Sequence, residues 1–210
     1  MNALLVVEPG VATTVQDAGR PGHAHLGVPV SGAVDPGLAA LVNRLVGNDR
    51  AAAVVETTGG LVLQTGRPVL IASSVEGTAR SVPAGHTVVV PAGHGRVWHY
   101  LAVRGGVAVE PVLGSRSTDT LSGLGPGMLR TGDVLPVGPD PGTVVDPGHA
   151  PLRPLPPFAR LLPGPREDWF DPASLDRLAG AAWTVTAASR VGVRLTGDAL
   201  PRRIARELPS

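Results

Sequence analysis

Residues 52–72 of this 210-residue chain read AAVVETTGGLVLQTGRPVLIA, three apolar runs separated by turns that contain glycine or proline. Short β-branched and aliphatic runs bounded by such residues are typical of β-strands joined by tight turns. The pattern continues on both sides, where residues 4–7, 87–90 and 97–103 predict further strands. We therefore predict a mainly β chain that forms a closed or nearly closed antiparallel structure.

Two stretches have a helical pattern instead. Residues 35–48, DPGLAALVNRLVGN, place Asp35 at an N-cap, proline at the first helical position and apolar side chains on one face. Residues 171–180, DPASLDRLAG, repeat this arrangement. We expect Leu175 and Leu178 to be buried in this second helix, which is short enough to be marginal alone.

A stretch rich in proline and glycine, residues 138–157, marks the domain boundary. Proline cannot donate to a β-ladder and favours an extended, semi-rigid connector. We predict a first domain at residues 1–140, a proline-rich linker at 141–157, and a second, incomplete domain at 158–210. The last part is thin for an independent core, so we expect it to dock on the first domain or to begin a larger unit.

The composition excludes several kinds of chemistry. All 18 basic residues are arginine, and cysteine is absent. Without lysine these residues cannot form a Schiff base, a phosphate-loop lysine contact or a biotinylated side chain. Without cysteine they offer no thiol nucleophile, thiolate zinc site or iron–sulfur cluster. The net charge of +1 without charge runs predicts neither a nucleic-acid partner nor a membrane surface.

The chain also lacks the signals for export and for a membrane span. The N-terminus, MNALLVVEPG, has no cationic segment, and its apolar run ends at Val7. No run of about 18 apolar residues occurs anywhere in the sequence. We expect a cytoplasmic protein.

The densest polar cluster lies between residues 13 and 35. It combines the Gln16 amide, the Asp17 carboxylate, the Arg20 guanidinium and the Ser31 hydroxyl with several glycines. Such groups hold a small polar or carboxylate substrate where the backbone can approach it closely. A turn in which Asp17 and Arg20 simply pair with each other explains the same residues.

Two further clusters are candidates for binding an anion. Residues 114–120, GSRSTDT, with Arg104 upstream, suggest a nest of backbone N–H groups, or equally a turn that caps its own backbone. In residues 189–195, SRVGVRL, Arg190 and Arg194 share one face of a predicted strand, which is also typical of a solvated edge.

Metal binding and acid catalysis find little support in the sequence. His23 and His25 have metal-ligand spacing, but no glutamate follows them before Glu56, so we expect no metal site. Glu56 ends an apolar strand, and we expect it to be partly buried with an arginine or a backbone N–H as its partner.

Seven blocks in order, spread over nearly the whole chain, carry a resemblance to a known family. The chain resembles the biotin-dependent carboxyltransferase-like family, also called allophanate hydrolase subunit 2, the C subunit of 5-oxoprolinase, or KipA. The blocks are TTVQDAGRPGHAHLGVPVSGAVDP (13–36), NRLVGN (43–48), ETTGG (56–60), YLAVRGGV (100–107), GSRSTDT (114–120), LPGPREDWF (162–170) and SRVGVRLTG (189–197).

The resemblance implies a cyclophilin-like β-barrel followed by the first part of a second cyclophilin-like domain. It implies two partners, which are the KipI-like B subunit of 5-oxoprolinase and the LamB/YcsF-type A subunit. Such proteins together open the lactam of 5-oxoproline to glutamate at the expense of ATP. We therefore expect the assembled complex to use ATP, and this chain to carry neither a metal nor a covalent cofactor.

On this hypothesis the loops near residues 16–35 and 114–119 hold the substrate carboxylate or a phosphorylated intermediate, with Arg20 and Arg116 as charge clamps. The catalytic residues stay unassigned. The residues that we predict to bind substrate are Gln16, Asp17, Arg20, Ser31, Asp35, Asn43, Ser115, Arg116, Thr118 and Arg190.

Two alternatives belong to other functional classes. The chain is also compatible with the carboxyltransferase component of a urea carboxylase or allophanate hydrolase system, with biotin supplied by another chain. It is equally compatible with a regulatory antagonist that captures a KipI-like kinase inhibitor. Catalysis and sequestration present the same partner surface, so the sequence leaves both open.

The resemblance also predicts a solution property. Members of the family continue past residues 195–197 with a segment that completes the second barrel, whereas this chain stops at Ser210. We expect an unpaired apolar strand edge, and therefore poor solubility or exchange of a strand between copies. Size-exclusion chromatography with light scattering checks this, and a monodisperse monomer that melts cooperatively would contradict it.

Overall fold

The computed structural model describes residues 2–93, 95–145, 158–204 and 206. The chain divides into two compact units, Met1–Arg153 and Pro154–Ser210, and each is described here by itself. Most of the predicted linker at 141–157 lies outside the described residues, from residue 146 onward. Residues 141–145 belong to the first unit.

The described residues of the first unit form one α-helix and nine β-strands. In chain order the elements are β1 (Ala3–Glu8), β2 (Thr13–Gln16), α1 (Pro36–Leu45), β3 (Val54–Thr57), β4 (Leu61–Thr65), β5 (Val69–Ser73), β6 (Ala79–Val82), β7 (Thr87–Val90), β8 (His99–Val103) and β9 (Val134–Pro136). The strands assemble into a four-stranded sheet, ordered β7-β4-β1-β9, and a five-stranded sheet, ordered β2-β3-β8-β5-β6. All of these pairings are antiparallel.

The main hydrophobic core lies between these two sheets. Leu4 of β1 and Leu63 of β4 contribute from one sheet, and Val55 of β3, Ile71 of β5 and Leu101 of β8 from the other. The alternation of inward and outward side chains along each strand produces this core, since successive side chains point to opposite faces. The prediction of a mainly β fold is confirmed. The short strands β2 and β6 were missed because they lack an apolar run, and β9 was missed because its three residues, VLP, end in proline.

Helix α1 covers part of the outer face of the five-stranded sheet. The Asp35 carboxylate caps the helix by accepting a hydrogen bond from the Leu38 N–H at 2.9 Å, as the sequence predicts. The apolar face of α1 forms a second core with outward-facing side chains of the sheet, among them Val54, Ala72 and Tyr100. This packing brings residues 17–35, which precede the helix, close to the same sheet face.

The second unit contains a two-stranded sheet and one helix among its described residues. These are α2 (Ala173–Gly180), β10 (Thr184–Ala188) and the antiparallel β11 (Val193–Thr196). Helix α2 begins one residue later than a start at Pro172 predicts. The prediction that Leu175 is buried is wrong, because 43% of the residue is exposed. In neither unit is any described helix long and apolar enough to span a membrane.

One prediction follows for the buried Asn43, which lies in α1. Its amide nitrogen donates to the Ala52 carbonyl at 2.7 Å, and its amide oxygen accepts from Asn48 at 3.0 Å. Replacing Asn43 with alanine removes the hydrogen bonds of both partners, so we expect the free energy of unfolding to fall by about 2–3 kcal/mol. Urea denaturation measures this loss. The exposed Arg50→Ala, with an expected change within about 0.5 kcal/mol, is the control. An equal effect of both variants would contradict the assignment.

Candidate functional site

The Asp17 carboxylate, directly after β2, joins two loops that are distant in sequence. It accepts hydrogen bonds from the hydroxyls of Ser115 at 2.6 Å and Ser117 at 2.5 Å. It also accepts from the backbone N–H groups of Arg116 at 2.6 Å and Gly19 at 2.7 Å. Burial raises the pKa of Asp17, but these four hydrogen bonds stabilise the carboxylate and bring its pKa below the ordinary value. Asp17 is therefore an anionic anchor for residues 115–117.

Arg20 is buried beside this anchor and connects three segments. Its Nε donates to the Val112 carbonyl at 3.2 Å, its Nη1 to the Ser31 hydroxyl at 3.0 Å, and its Nη2 to the Ser117 carbonyl at 2.5 Å. Only 1% of the residue is exposed. Asp17 and Arg20 do not form a described ion pair, in contrast to the simple turn that the sequence also allowed. Because all three nitrogens of the guanidinium donate to the protein, we assign Arg20 a bracing role in place of the expected charge clamp.

The segment at residues 113–129 runs along β2, which is an edge strand of its sheet. The Thr118 N–H donates to the Val15 carbonyl at 2.9 Å, and the Leu129 N–H donates to the Thr13 carbonyl at 2.9 Å. These bonds use acceptors that an edge strand would otherwise expose. The segment thereby places Ser115, Arg116 and Thr118 beside Gln16 and Asp17.

Gln16 and Thr118 lie inside this contact and are both buried. The Gln16 amide nitrogen donates to the Thr14 hydroxyl at 2.9 Å and to the Thr118 carbonyl at 3.1 Å. Among the described residues, neither the Gln16 Oε1 nor the Thr118 hydroxyl has a hydrogen-bond partner. Buried polar atoms without partners are uncommon in folded proteins, so these two atoms make the contact between Gln16 and Thr118 a candidate binding position.

A second buried polar group lies on the same sheet face. The Glu56 carboxylate accepts from the Tyr100 hydroxyl at 2.8 Å and from the Val34 N–H at 2.8 Å. The Tyr100 hydroxyl in turn accepts from the Asp35 N–H at 2.7 Å. Burial raises the pKa of Tyr100. The sequence suggested an arginine or a backbone N–H as partner for Glu56, and the Val34 N–H is one of its partners. It did not identify Tyr100, which lies 44 residues away and opposite Glu56 on β8.

Within the first unit, seven of the predicted site residues form a first group, and the other two, Asp35 and Asn43, lie at opposite ends of α1. Gln16, Asp17, Arg20, Ser31, Ser115, Arg116 and Thr118 come together around the end of β2. Asp35 caps α1, and its Oδ2 lies 3.8 Å from the Arg96 Nη1. Asn43 is buried near the end of α1, where it accepts a hydrogen bond from Asn48. Arg190 lies in the turn between β10 and β11 of the second unit.

Two residues join the first group without having been predicted. Ser117 shares the Asp17 carboxylate, and Asp119 accepts hydrogen bonds from the hydroxyls of Ser122 and Ser31. Both belong to the GSRSTDT block, so their residue types gave a signal, but the direction of their side chains did not follow from it.

Arg104 was expected to contribute to the same anion nest. Its side chain instead pairs with Asp140 at 2.6 Å and donates to the carbonyls of Val46 and Thr143. The hydrogen bond from Arg104 lowers the pKa of Asp140 to about 2. This arginine therefore holds residues 140–143 against the end of α1 within the first unit.

Arg116 is the cation of the cluster that is suited to an external anion. Its Nε donates to the Val109 carbonyl at 2.7 Å, while the structure describes no partner for its two terminal nitrogens. The residue is partly exposed. A guanidinium fixed at one nitrogen and open at two can bind a carboxylate or a phosphate oxygen pair.

An open groove of about 580 Å³ lies elsewhere, along the outer surface of α1. Its lining includes Ala40, Leu41, Arg44 and Val144, and none of the ten predicted site residues. We take the polar cluster at β2 as the candidate site, because seven of the predicted residues come together there. No group of three or more histidine, cysteine or acidic residues suited to a metal occurs in the part of the chain that the structure describes.

The first unit is thus a mainly antiparallel β domain of two sheets with a polar cluster at a strand edge, and comparison with known proteins gives its family. The family described as "Carboxyltransferase domain, subdomain A and B" matches residues 26–210. The chain belongs to this family.

Relatives with names and solved structures agree with this assignment. The chain is 33% identical to the C subunit of 5-oxoprolinase from Escherichia coli K12, over 99% of this chain and 73% of that protein. It is 33% identical to urea amidolyase of Lachancea kluyveri, over 93% of this chain but 13% of that protein. The crystal structure of TTHA0988 superimposes with a TM-score of 0.83 and 37% identity, covering 95% of this chain and 80% of that one.

The Asp17 anchor predicts a defined pH dependence. Because the pKa of Asp17 is lower in the folded chain than in the unfolded chain, its contribution to stability is complete above about pH 4 and is lost as the pH falls through the folded-state pKa. We expect Asp17→Asn to be about 2 kcal/mol less stable than the wild type at pH 7. Urea denaturation from pH 7 to pH 3 measures the difference, which narrows on acidification. A difference that stays constant or widens would contradict the anchor.

Proposed function

We propose that this chain is the C subunit of an ATP-dependent 5-oxoprolinase that opens the lactam of 5-oxoproline to glutamate in the cytoplasm. The observation that carries the proposal is its likeness to the C subunit of the E. coli 5-oxoprolinase over 99% of this chain and 73% of that protein. A likeness over most of both chains supports a shared role better than one shared module does.

The polar cluster fits a small anionic substrate. The two open nitrogens of Arg116 suit the carboxylate of 5-oxoproline, and the partly buried Asp17 carboxylate holds the backbone at residues 115–117 in place. Arg20 links Ser31 to this loop, because its guanidinium donates both to the Ser31 hydroxyl and to the Ser117 carbonyl. Binding and orientation are therefore the tasks that we assign to this chain.

The energetic step requires other subunits. Opening the lactam adds water across the C–N bond and is coupled to hydrolysis of ATP, and these 210 residues contain no lysine with which to form a phosphate-binding loop. We propose that a KipI-like B subunit and a LamB/YcsF-type A subunit complete the complex and that ATP binds outside this chain. No metal or covalent cofactor is assigned to this chain.

A second candidate function is the carboxyltransferase step of a urea carboxylase type of system. The match to urea amidolyase over 93% of this chain favours it, although the chain corresponds to only 13% of that protein. Biotin would have to reach this chain on another polypeptide, because the 210 residues contain no lysine to carry it.

Reconstitution separates the candidates. Purified chain is mixed with a KipI-like B subunit and a LamB/YcsF-type A subunit, and ATP-dependent formation of glutamate from 5-oxoproline is measured. Carboxyl transfer from a biotinylated partner, without lactam opening, would favour the second candidate. A tight complex with the B subunit that is inactive in both assays would favour a regulatory antagonist.

Arg116 provides the decisive variant. We expect Arg116→Ala in the reconstituted complex to raise the KM for 5-oxoproline by about tenfold or more, because a charge-assisted contact to the substrate carboxylate is lost. Steady-state kinetics measures this change. The exposed Arg130→Ala, which removes an equal charge from the same unit, is expected to leave the KM unchanged. Equal kinetics in both variants would remove Arg116 from the site.

A further inference from the structure

Two buried atoms at the candidate site have hydrogen-bonding capacity that the described residues do not use. These are the Gln16 Oε1 and the Thr118 Oγ1. The residues are 0% and 3% exposed, and they adjoin, since the Gln16 amide nitrogen donates to the Thr118 carbonyl at 3.1 Å. An unsatisfied buried polar group destabilises a fold, so two of them on residues that are in contact require an explanation.

The orientation of the Gln16 amide is fixed by its neighbours. Both hydrogens of Nε2 are used, one by the Thr14 hydroxyl and one by the Thr118 carbonyl. A carbonyl can only accept, so exchanging the amide oxygen and nitrogen would set two acceptors against each other. The Oε1 atom is therefore held as an acceptor, and it requires an N–H or O–H donor.

The backbone that carries the Thr118 hydroxyl is also held by hydrogen bonds. The Thr118 N–H donates to the Val15 carbonyl, and the Thr118 carbonyl accepts from Gln16, so the residue is fixed on both sides of its side chain. The hydroxyl itself can donate one hydrogen bond. Together the two side chains present one acceptor and one donor, which complement a group with one N–H and one C=O.

We infer that Gln16 and Thr118 recognise the amide edge of a lactam, with the ring N–H donating to Gln16 Oε1 and the ring C=O accepting from Thr118 Oγ1. A five-membered lactam places these two groups on the same edge, because its amide is held cis by the ring. The inference rests on the proposed function and assigns the part of the substrate that Arg116 does not bind.

Access to these atoms requires the neighbouring segments to move aside. Two residues other than glycine have a positive φ in these segments, Ser31 at 59° and Leu113 at 51°. Such conformations are sparsely populated and concentrate at ligand-binding positions. Arg20 contacts both segments, so its hydrogen bonds to Ser31 and Val112 are the ones that opening would disturb.

The first test compares ligands on the unmodified chain by isothermal titration calorimetry. L-5-oxoproline is expected to bind at least about tenfold more tightly than its N-methyl derivative, which lacks the donor for Gln16. The corresponding lactone carboxylate, in which an oxygen replaces the N–H, is expected to be weaker still, because it sets an acceptor against Oε1. Equal affinities for the three compounds would overturn the inference.

The second test uses Thr118→Val, which removes the hydroxyl and preserves the shape. In the reconstituted complex we expect the KM for 5-oxoproline to rise about tenfold. The unfolding midpoint of the chain is expected to stay equal or to rise, because an unsatisfied buried hydroxyl is removed. A buried water that bridges the two atoms would instead give a lower midpoint and an unchanged KM, and that result would overturn the inference.

A matched control is available within the same unit. Thr58 also has a buried hydroxyl without a described partner, but it lies outside the polar cluster. Thr58→Val is expected to behave like Thr118→Val in stability and to leave the KM unchanged. Thr118→Ser, which keeps the hydroxyl, is expected to restore the KM and serves if the valine variant fails to fold.

These results also separate the inference from the proposed function. A wild-type complex that forms no glutamate contradicts the function, while the calorimetric ranking of the three compounds still tests the Gln16 and Thr118 contacts. An active complex in which Thr118→Val and Thr58→Val have the same KM contradicts only the inference.

Discussion

The four hydrogen bonds accepted by the Asp17 carboxylate are the constraint on which the candidate site depends. Strand β2 is at the edge of its sheet, and an edge strand presents unpaired backbone groups. The segment at 113–129 pairs with that edge, and Asp17 fixes the turn from which the segment begins. A carboxylate with four donors stays ionised even when it is half buried, so one charge secures a loop about one hundred residues away in sequence.

The outer face of the five-stranded sheet is polar where a covering element would normally bury apolar side chains. Thr14, Glu56 and Tyr100 stand opposite one another on β2, β3 and β8. Helix α1 covers the apolar part of this face. The loop before α1 reaches the polar part, where the Val34 N–H donates to the Glu56 carboxylate and the Asp35 N–H donates to the Tyr100 hydroxyl. Burying such a layer costs solvation free energy unless its polar groups are paired, and here the Tyr100 hydroxyl and the Val34 N–H both donate to the Glu56 carboxylate.

Local rules predicted the elements of this fold better than their meeting points. The Asp35 cap and the proline start of α1 followed from a few adjacent residues, and the runs at 61–64, 69–72 and 87–90 became strands with nearly the predicted bounds. Strand β2 was missed because TTVQ has no apolar run. Its four residues are nevertheless buried, because the segment at 113–129 runs along the strand. The pairing of Asp17 with Ser115 joins positions 98 residues apart, and no periodicity within either block encodes that distance.

Arg20 and Arg116 show why residue type alone could not assign roles within the cluster. Both were predicted as charge clamps, but burial separates them: Arg20 is enclosed and donates from all three nitrogens to the protein, whereas Arg116 is tied by Nε alone. The planar guanidinium can do either task because its donors point in fixed directions, and a lysine ammonium could not bridge three segments in the same way. A chain whose basic residues are all arginine can therefore use one side-chain type both to brace a loop and to leave donors open at the surface of that loop.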